Sequence, residues 1–444
     1  MSEVQKLVDA GKFQEAAILA KVEAINSLQM AALICTKMGD PYSIYLAQKC
    51  VELDPDNARL WGNLSYFLGL EMQCDEAMQA IDKALELSPC PDFYCNKAIL
   101  LGSQRRVEEA IGYYEKAIAM DDKPNPTLLF NLGCMYMLVG RYKEGLPLLE
   151  ARFGYDPELV FFMKRYSAPD WKGKELTGKR VLIFSEQGIG DVLQHIRYIP
   201  MLRPAYLIAE LQECLVPLVS DYFDEVVGRS DNYRLEDDPQ LPEHDYVISF
   251  ASLPYLLDPE LKNIPPAPFL FGEKVEQLDQ SKINIGVAWA GNGINTNDIN
   301  RSCAAKELLP LAQIPGVQLS SLQKGQLKRN WNGRIVDLSE GQDQLGLIDR
   351  TAEFTDMKKT ADFIEGLDLV VTVCTSIAHL AGAMGKLTFL ALGFCHDQRW
   401  PLSGSETHWY GGTRIFRQKS QGDWSGVFGE IAKEIKKARI SPGP

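Results

Sequence analysis

Paired cysteines are what this chain lacks. Its ten cysteines stand singly. No C-x-x-C pair and no Cys/His group at zinc-ligand spacing is present, which excludes a thioredoxin-like redox motif and a structural zinc site. Histidine is scarce, at five in 444 residues. Positive charge is in deficit, 46 Lys and Arg against 59 Asp and Glu, for a net charge of -13. Before Pro157 there are 22 acidic and 15 basic residues, a net of -7, which leaves -6 for the remainder. The acidity is therefore spread along the chain rather than held in a tail. Nucleic acid is the least favoured partner on this balance, with a local basic patch left open. The N-terminus, MSEVQKLVDAGKFQEAA, is polar and amphipathic and lacks the basic-then-apolar build of a signal peptide. No uninterrupted apolar run approaches the about 18 residues of a bilayer span. A cytoplasmic protein whose cysteines are small buried hydrophobes is the expectation. What is present, 46% hydrophobic and 24% charged residues, suits a folded chain of roughly two or three domains.

The first third repeats itself. Ala47–Pro55 reads AQKCVELDP, Ile81–Pro89 reads IDKALELSP and Tyr114–Asp122 reads YEKAIAMDD. Pro55 and Pro89 are 34 residues apart; Ala77 and Ala110, like Ala84 and Ala117, are 33 apart. This pattern resembles the tetratricopeptide repeat, with Trp61, Leu64, Ala77, Ile81, Ala84 and Pro89 on its large, small and turn positions. Asn131, Leu132, Gly133, Tyr136, Gly140, Tyr142 and Pro157 supply a later copy, with Gly145 where a small Ala is usual. The start, Gly11-x-Phe13-x-Glu15-Ala16, reads as the second helix of a capping repeat. Each unit is a pair of helices whose apolar stripes are buried only by stacking. The signature residues are scaffold; the array's concave surface suits an extended peptide or a docking protein.

After a connector at 158–178 the period changes. Arg180–Phe184 is a short buried strand, Ser185–Asp191 a glycine-bearing loop, and Val192 onward is helical. Further strands are expected at Ala205–Glu210, Glu225–Val227 and Tyr246–Phe250. Beyond Asn263–Pro268, a second series is expected at Ile283–Trp289, Val317–Leu322, Arg334–Leu338, Leu367–Val373 and Leu387–Leu392. Alternating strands and helices in two blocks predict two Rossmann-like domains, at 179–270 and 282–424, and a closing helix and tail at 425–444. The fold class is thus α + α/β: a helical repeat array over 1–157, then a two-lobed α/β unit with its ligand cleft at strand carboxyl ends.

Two loops carry candidate chemistry. In the first, Gly188 and Gly190 let backbone approach a ligand at a helix start. Asp191, Gln194 and His195 share one helical face. A carboxylate aimed into a cleft serves as a general base; the plainer reading is that Asp191 caps its helix. In the second, a buried strand ends at Val373-Cys374, and Thr375 and Ser376 open a helix whose free N–H groups suit phosphate. Ser376 and His379 are spaced to face the same way. A low-pKa nucleophilic Cys374 is a further option at such a helix start. Arg301 after the Ile283–Trp289 strand, Gln323 and Lys324 after Val317–Leu322, and Asp397, Arg399, Trp400, Trp409 and Tyr410 after Leu387–Leu392 are further candidates.

Taken in order, EQGIGDVLQHIRYIPML (Glu186–Leu202), VAWAGN (Val287–Asn292), Arg301-Ser302, SLQKG (Ser321–Gly325), CTSIAHLAGAMGK (Cys374–Lys386), DQRW (Asp397–Trp400) and FRQKSQGDW (Phe416–Trp424) resemble the bacterial heptosyltransferase-like glycosyltransferases of GT-B fold, especially members fused to tetratricopeptide repeats. The layout is also similar to that of protein O-GlcNAc transferases. The resemblance implies inverting, metal-independent sugar transfer from a nucleoside-diphosphate sugar, with no resident cofactor. It puts Asp191 on the catalytic base and Arg301, Gln323, Lys324, Cys374, Thr375, Ser376 and His379 on the donor. Gly188, Gly190, Gln194 and His195 fall to the loop and acceptor side. The acceptor expected first is a protein presented by the repeats, then a glycan or lipid intermediate. A homodimer through a flank of the array stays open. The family has Asp where this chain has Cys374, a weaker acceptor and normally neutral. That departure motivates the alternative of a GT-B scaffold that binds without catalysis.

Overall fold

A computed structural model describes the chain except residues 1, 39, 41, 157–158, 161–162, 167, 187, 231–239, 274–277, 294–297, 326, 332–333 and 439–444. Pro157, the expected end of the repeats, lies outside the described residues. The chain forms two compact units, residues 1–135 with 329–336, and residues 136–328 with 337–444.

The first unit is built from helix pairs: α1 (Glu3–Asp9), α2 (Phe13–Met38), α3 (Tyr42–Leu53), α4 (Ala58–Leu70), α5 (Cys74–Leu87), α6 (Pro91–Ser103) and α7 (Val107–Ala119). Ala77, Ile81, Ala84, Ala110 and Ala117 are fully buried, as the repeat pattern requires. Gly62 shows why a small residue is needed there: a Cβ would lie 2.5 Å from the Phe93 ring of the following helix pair. The turns inside the pairs recur. Gly11, Met72 and Arg105 take positive φ, and Lys12, Gln73 and Arg106 each donate to the carbonyl five residues back, the closing bond of a left-handed helix end. The start is as expected the second helix of a pair, α2 following α1, but it is much longer than its neighbours. α2 has 26 residues, and its mean hydropathy of 1.4 over an 18-residue window makes it long and apolar enough to cross a membrane. Counting uninterrupted apolar residues missed this, because Lys21 and Glu23 break the run without lowering the average far.

The array's last helices, α8 (Pro126–Leu138) and α9 (Tyr142–Leu149), are followed by the short α10 (Arg152–Tyr155). From Tyr136 on, the chain belongs to the second unit. That unit holds two parallel sheets with helical crossovers. In the first, β1 (Arg180–Phe184), β2 (Tyr206–Gln212), β3 (Glu225–Arg229) and β4 (Tyr246–Ser249) lie in the order β3-β2-β1-β4. The second lobe begins with β5 (Ile283–Ala288) and β6 (Val317–Ser321). A two-stranded arm follows in sequence, β7 (Lys328–Trp331) and β8 (Arg334–Asp337), of which residues 329–336 count with the first unit. Then come β9 (Ile348–Asp349), β10 (Leu369–Val373), β11 (Thr388–Leu392) and β12 (Thr413–Arg417). Its sheet order is β12-β11-β10-β5-β6-β9. The expected strand at Arg334–Leu338 is therefore part of the arm, and β9 and β12, absent from the sequence reading, form the sheet's edges. The closing helix Trp424–Ala438 belongs to this lobe.

β1 and β10 are continuous apolar runs because both faces are covered. Strand order reverses direction between β1 and β4 in one sheet and between β5 and β10 in the other. Crevices open at the carboxyl ends of such switch points. The loops that begin at Ser185 and Cys374 lie there.

Candidate functional site

Two helices start at these switch points and meet. Ile189–His195 follows β1, and Ser376–Ala383 follows β10. They cross at Gly190, where a Cβ would stand 2.9 Å from the His379 ring and 3.5 Å from Ser376 Cα. Gly190 was expected to make room for a ligand. Its missing side chain is instead filled by the neighbouring helix.

Asp191 does not cap its helix. Its N-cap is Gly188, without a side-chain cap bond, and Asp191 Oδ1 lies 2.9 Å from Arg399 Nη2 of the other lobe. Arg399 is the hub of the site. Its Nε donates to Asp397 Oδ1 at 2.8 Å, and its Nη1 reaches Gln194 Oε1 at 3.4 Å and His379 Nε2 at 3.3 Å. Two carboxylates thus share one guanidinium. Burial alone would lower Arg399's pKa, but Asp397 and Asp191 raise it well above normal. Burial alone would raise Asp397, and Arg399 holds it below the usual carboxylate range. Both carboxylate contacts are the strong, charge-assisted kind.

His379 is buried, stacked on Trp400 with ring centroids 5.3 Å apart. Because Arg399 donates to Nε2, the proton sits on Nδ1 and is donated to Tyr410 Oη at 3.0 Å. Burial, then the charge of Arg399, pushes its pKa well below 6.5. His195 is pushed down to about 3 by burial and by Arg399 and Arg197, and its ring lies edge-on to Trp409 at 6.0 Å. Neither imidazole is an acid at neutral pH. Arg197, also buried, donates to the Trp409 carbonyl at 2.8 Å and lies 4.3 Å over the Phe269 ring. It braces the first lobe against the second.

The turn expected to seat phosphate is half-buried. Thr375 is the extended N-cap residue of its helix and makes no side-chain cap bond; Ser376 is the first helical residue. Thr375 Oγ1 lies 3.3 Å from Thr372 Oγ1. Cys374 accepts the Trp400 indole N–H at 3.1 Å. Burial and the nearby Asp397 raise its thiol pKa, which removes the option of a low-pKa nucleophile. Arg301 Nε pairs with Asp298 Oδ1 at 3.1 Å, and its charge acts on both Cys374 and His379. Residues 294–297 of the loop before it lie outside the described residues.

Gln323 and Lys324 are spent differently from expectation. Gln323 Oε1 accepts from the Trp289 and Ala290 N–H groups at 3.0 and 2.8 Å, and Nε2 donates to the Ala290 and Lys324 carbonyls. Its amide ties the end of β5 to that of β6. Lys324 Nζ donates to the Phe354 carbonyl. Both residues line a cavity of about 390 Å³ beside Trp289, Asp349 and Thr351, within the size range of small-molecule sites. Asp349 and Thr351 escaped sequence reading because β9, which leads into them, is only two residues long.

One further cluster holds the first loop from behind. Arg152 Nη2 meets Glu186 Oε1 at 2.7 Å and Nη1 meets Glu150 Oε1 at 2.7 Å. Ser249 donates to Glu186 and Ser252 to Glu150. Arg152 and Glu186 were not singled out as site residues in the sequence. Their meeting depends on α10 folding against the loop.

The buried neutral histidine predicts acid sensitivity with a defined sign. His379 binds a proton far more weakly in the folded chain than in the unfolded one. Its contribution to stability is complete above the unfolded pKa of about 6.5 and is lost progressively as pH falls from that value toward the much lower folded one. Denaturant titrations at pH 7 and pH 5 should show that His379→Gln, whatever its offset at pH 7, recovers about 2 kcal/mol relative to the parent at pH 5. An offset that does not change with pH would contradict a neutral, buried imidazole.

Comparison with known proteins adds the following. Residues 91–124 match the tetratricopeptide repeat family model. The chain is 24% identical to Protein FlbA of Caulobacter vibrioides over 450 residues, covering 94% of this chain and 73% of that protein. Among solved structures it is similar to an O-GlcNAc transferase of Thermobaculum terrenum, at 13% identity over 95% of this chain and 92% of that one, with a TM-score of 0.34. It is also similar to the iron-containing dodecameric glycosyltransferase TibC of enterotoxigenic E. coli, at 15% identity over 59% and 66%, with a TM-score of 0.39. A third is MamA, at 21% identity over 37% and 99%, with a TM-score of 0.28. The class defined by the chain's own topology is a helical repeat array joined to a two-lobed, GT-B-type pair of parallel α/β sheets.

Proposed function

We propose that the chain is a cytoplasmic glycosyltransferase that moves a sugar from a nucleoside-diphosphate donor to an acceptor hydroxyl with inversion and without a metal. The observation that carries this reading is Asp191 at the β1 switch point, held by Arg399 from the opposite lobe. Its Oδ2 takes no bond among the described residues and can accept the acceptor's hydroxyl proton. As that oxygen bonds to the anomeric carbon, the bond from carbon to the phosphate oxygen breaks and the nucleoside diphosphate leaves. The Thr375–Ser376 turn, with Arg301, is suited to stabilise the charge growing on the leaving group. The cavity beside Trp289 and Asp349 suits the nucleoside, an acidic side chain at a strand's carboxyl end being apt for ribose hydroxyls. Protein is the first acceptor to try, because repeat arrays present extended grooves; glycans come second.

Cys374 favours one alternative, a binding scaffold without catalysis. Its thiol is neutral and already accepts the Trp400 indole. Incubation with a panel of nucleotide sugars separates the two readings: donor hydrolysis or transfer supports the enzyme. Nucleotide binding by calorimetry with no turnover supports the scaffold, and absence of both refutes the donor site.

A further inference from the structure

The long second helix leaves an apolar face largely uncovered beyond its first turns. One side of α2 packs in the array through Ile25 and Ala32, with Leu28, Ala31 and Cys35 partly covered, and α1 packs on the start of the helix, where Ala16 is buried at the edge of the opposite side. Lys21 on that side pairs with Asp54, just past the end of α3, at 3.1 Å. The opposite side carries Glu15, Leu19, Val22, Asn26, Met30, Leu33 and Lys37. Their steps of three and four residues are the spacing of a single helix-packing seam. Val22, Met30 and Leu33 are 47%, 60% and 46% exposed, and the flanking Ile18 and Ile34 are 66% and 50% exposed. Leu19 is half-buried.

This seam is self-complementary. Its steps run four, three, four, four, three, four, the same in both directions from Asn26. When a second α2 lies antiparallel with Asn26 opposite Asn26, Val22 faces Met30, Leu19 faces Leu33, and Ile18 faces Ile34. Acidic Glu15 then faces basic Lys37. Every pair is repeated by the two-fold axis, as an isologous interface demands. The paired stretch from Glu15 to Lys37 is about 33 Å long. Lys37 has no ion-pair partner among the described residues, while Glu15 meets only Lys12 of its own helix start, at 3.1 Å. A polar Asn on the axis fixes register. We infer that α2 is the dimer interface of this protein, occupied by α2 of a second copy in antiparallel register about Asn26. The opposite charges at the two ends and the palindromic spacing between them select a second copy over a lipid bilayer, which would recognise neither.

The full-length chain should sediment at twice its 49.7 kDa mass over a concentration series. Val22→Glu with Met30→Glu should return it to monomer mass with unchanged helical circular dichroism. Glu15→Lys or Lys37→Glu alone should weaken association by about tenfold, because each dimer holds the pair twice. The two together should restore it. Asn26→Cys should give an air-oxidised disulfide dimer in a reducing-agent-free gel where the parent, which carries Cys35 on the same helix, does not. A parent that stays monomeric throughout, a dimer that survives the double Glu variant, or a monomer that floats with phosphatidylcholine–phosphatidylglycerol vesicles would overturn the assignment.

Discussion

Asp191→Asn should lower sugar transfer by about 10²- to 10⁴-fold, the range expected when a positioned general base is removed, and leave nucleotide-sugar affinity within a few-fold of the parent. The amide keeps the size of the carboxylate and can still offer an oxygen to Arg399, so the lobes stay braced. What it loses is the capacity to take the acceptor's proton. In the proposed mechanism donor binding falls to other groups: the Thr375–Ser376 turn, Arg301 and the cavity beside Trp289. The loss should therefore fall on kcat and not on donor KM. The informative control is Arg399→Lys, which keeps a cation near Asp191 but cannot hold Asp191 and Asp397 in one planar fork. An intermediate loss there, with full loss in Asp191→Asn, places Asp191 at the chemistry and Arg399 in a positioning role. Undiminished turnover of Asp191→Asn, measured with the donor on which the parent is active, would remove Asp191 from the mechanism.

What could be read in advance follows the range of the interactions involved. The repeats were legible because their core is local: Ala77 packs within its own helix pair, and Ala110 repeats the position 33 residues later. β1 and β10 were legible as continuous apolar runs, and the helices after them as glycine- or hydroxyl-led starts. The sheets' edges were not. Arg334–Asp337 has the composition of a strand, but its partner is β7 next to it, and nothing local distinguishes an arm from a sheet edge. Within the site, residue types were found more readily than residue duties. Gln323 looked like a ligand contact and is a backbone brace; Gly190 looked like space for a ligand and is space for His379. The pairing of Asp191 with Arg399 joins two lobes whose approach is set by packing of helices and loops that no short motif encodes.

The same point governs the largest stability change expected in the α/β unit. Arg152→Met should destabilise this unit by about 3–5 kcal/mol, the cost of breaking a buried ion pair from one side. Glu186 is 1% exposed, and its second oxygen has no hydrogen-bond partner among the described residues. Burial already raises its pKa against the pull of Arg152. Without the guanidinium the carboxylate must either ionise in an apolar setting or take up a proton. Glu150 is 26% exposed and can turn to water, so most of the cost falls on Glu186. The double variant Arg152→Met with Glu186→Gln removes that charge and should recover a large part of the loss, a coupling that independent sites do not show. Trp171, Trp289, Trp400, Trp409 and Trp424 make tryptophan fluorescence a reporter of this unit in urea. If the two substitutions simply add, or Arg152→Met costs less than about 1 kcal/mol, a value typical of exposed pairs, the network is peripheral. If they couple as expected, the loop that carries Asp191 is anchored by α10. The loop of the proposed base would then depend on the chain that directly follows the repeats for its position.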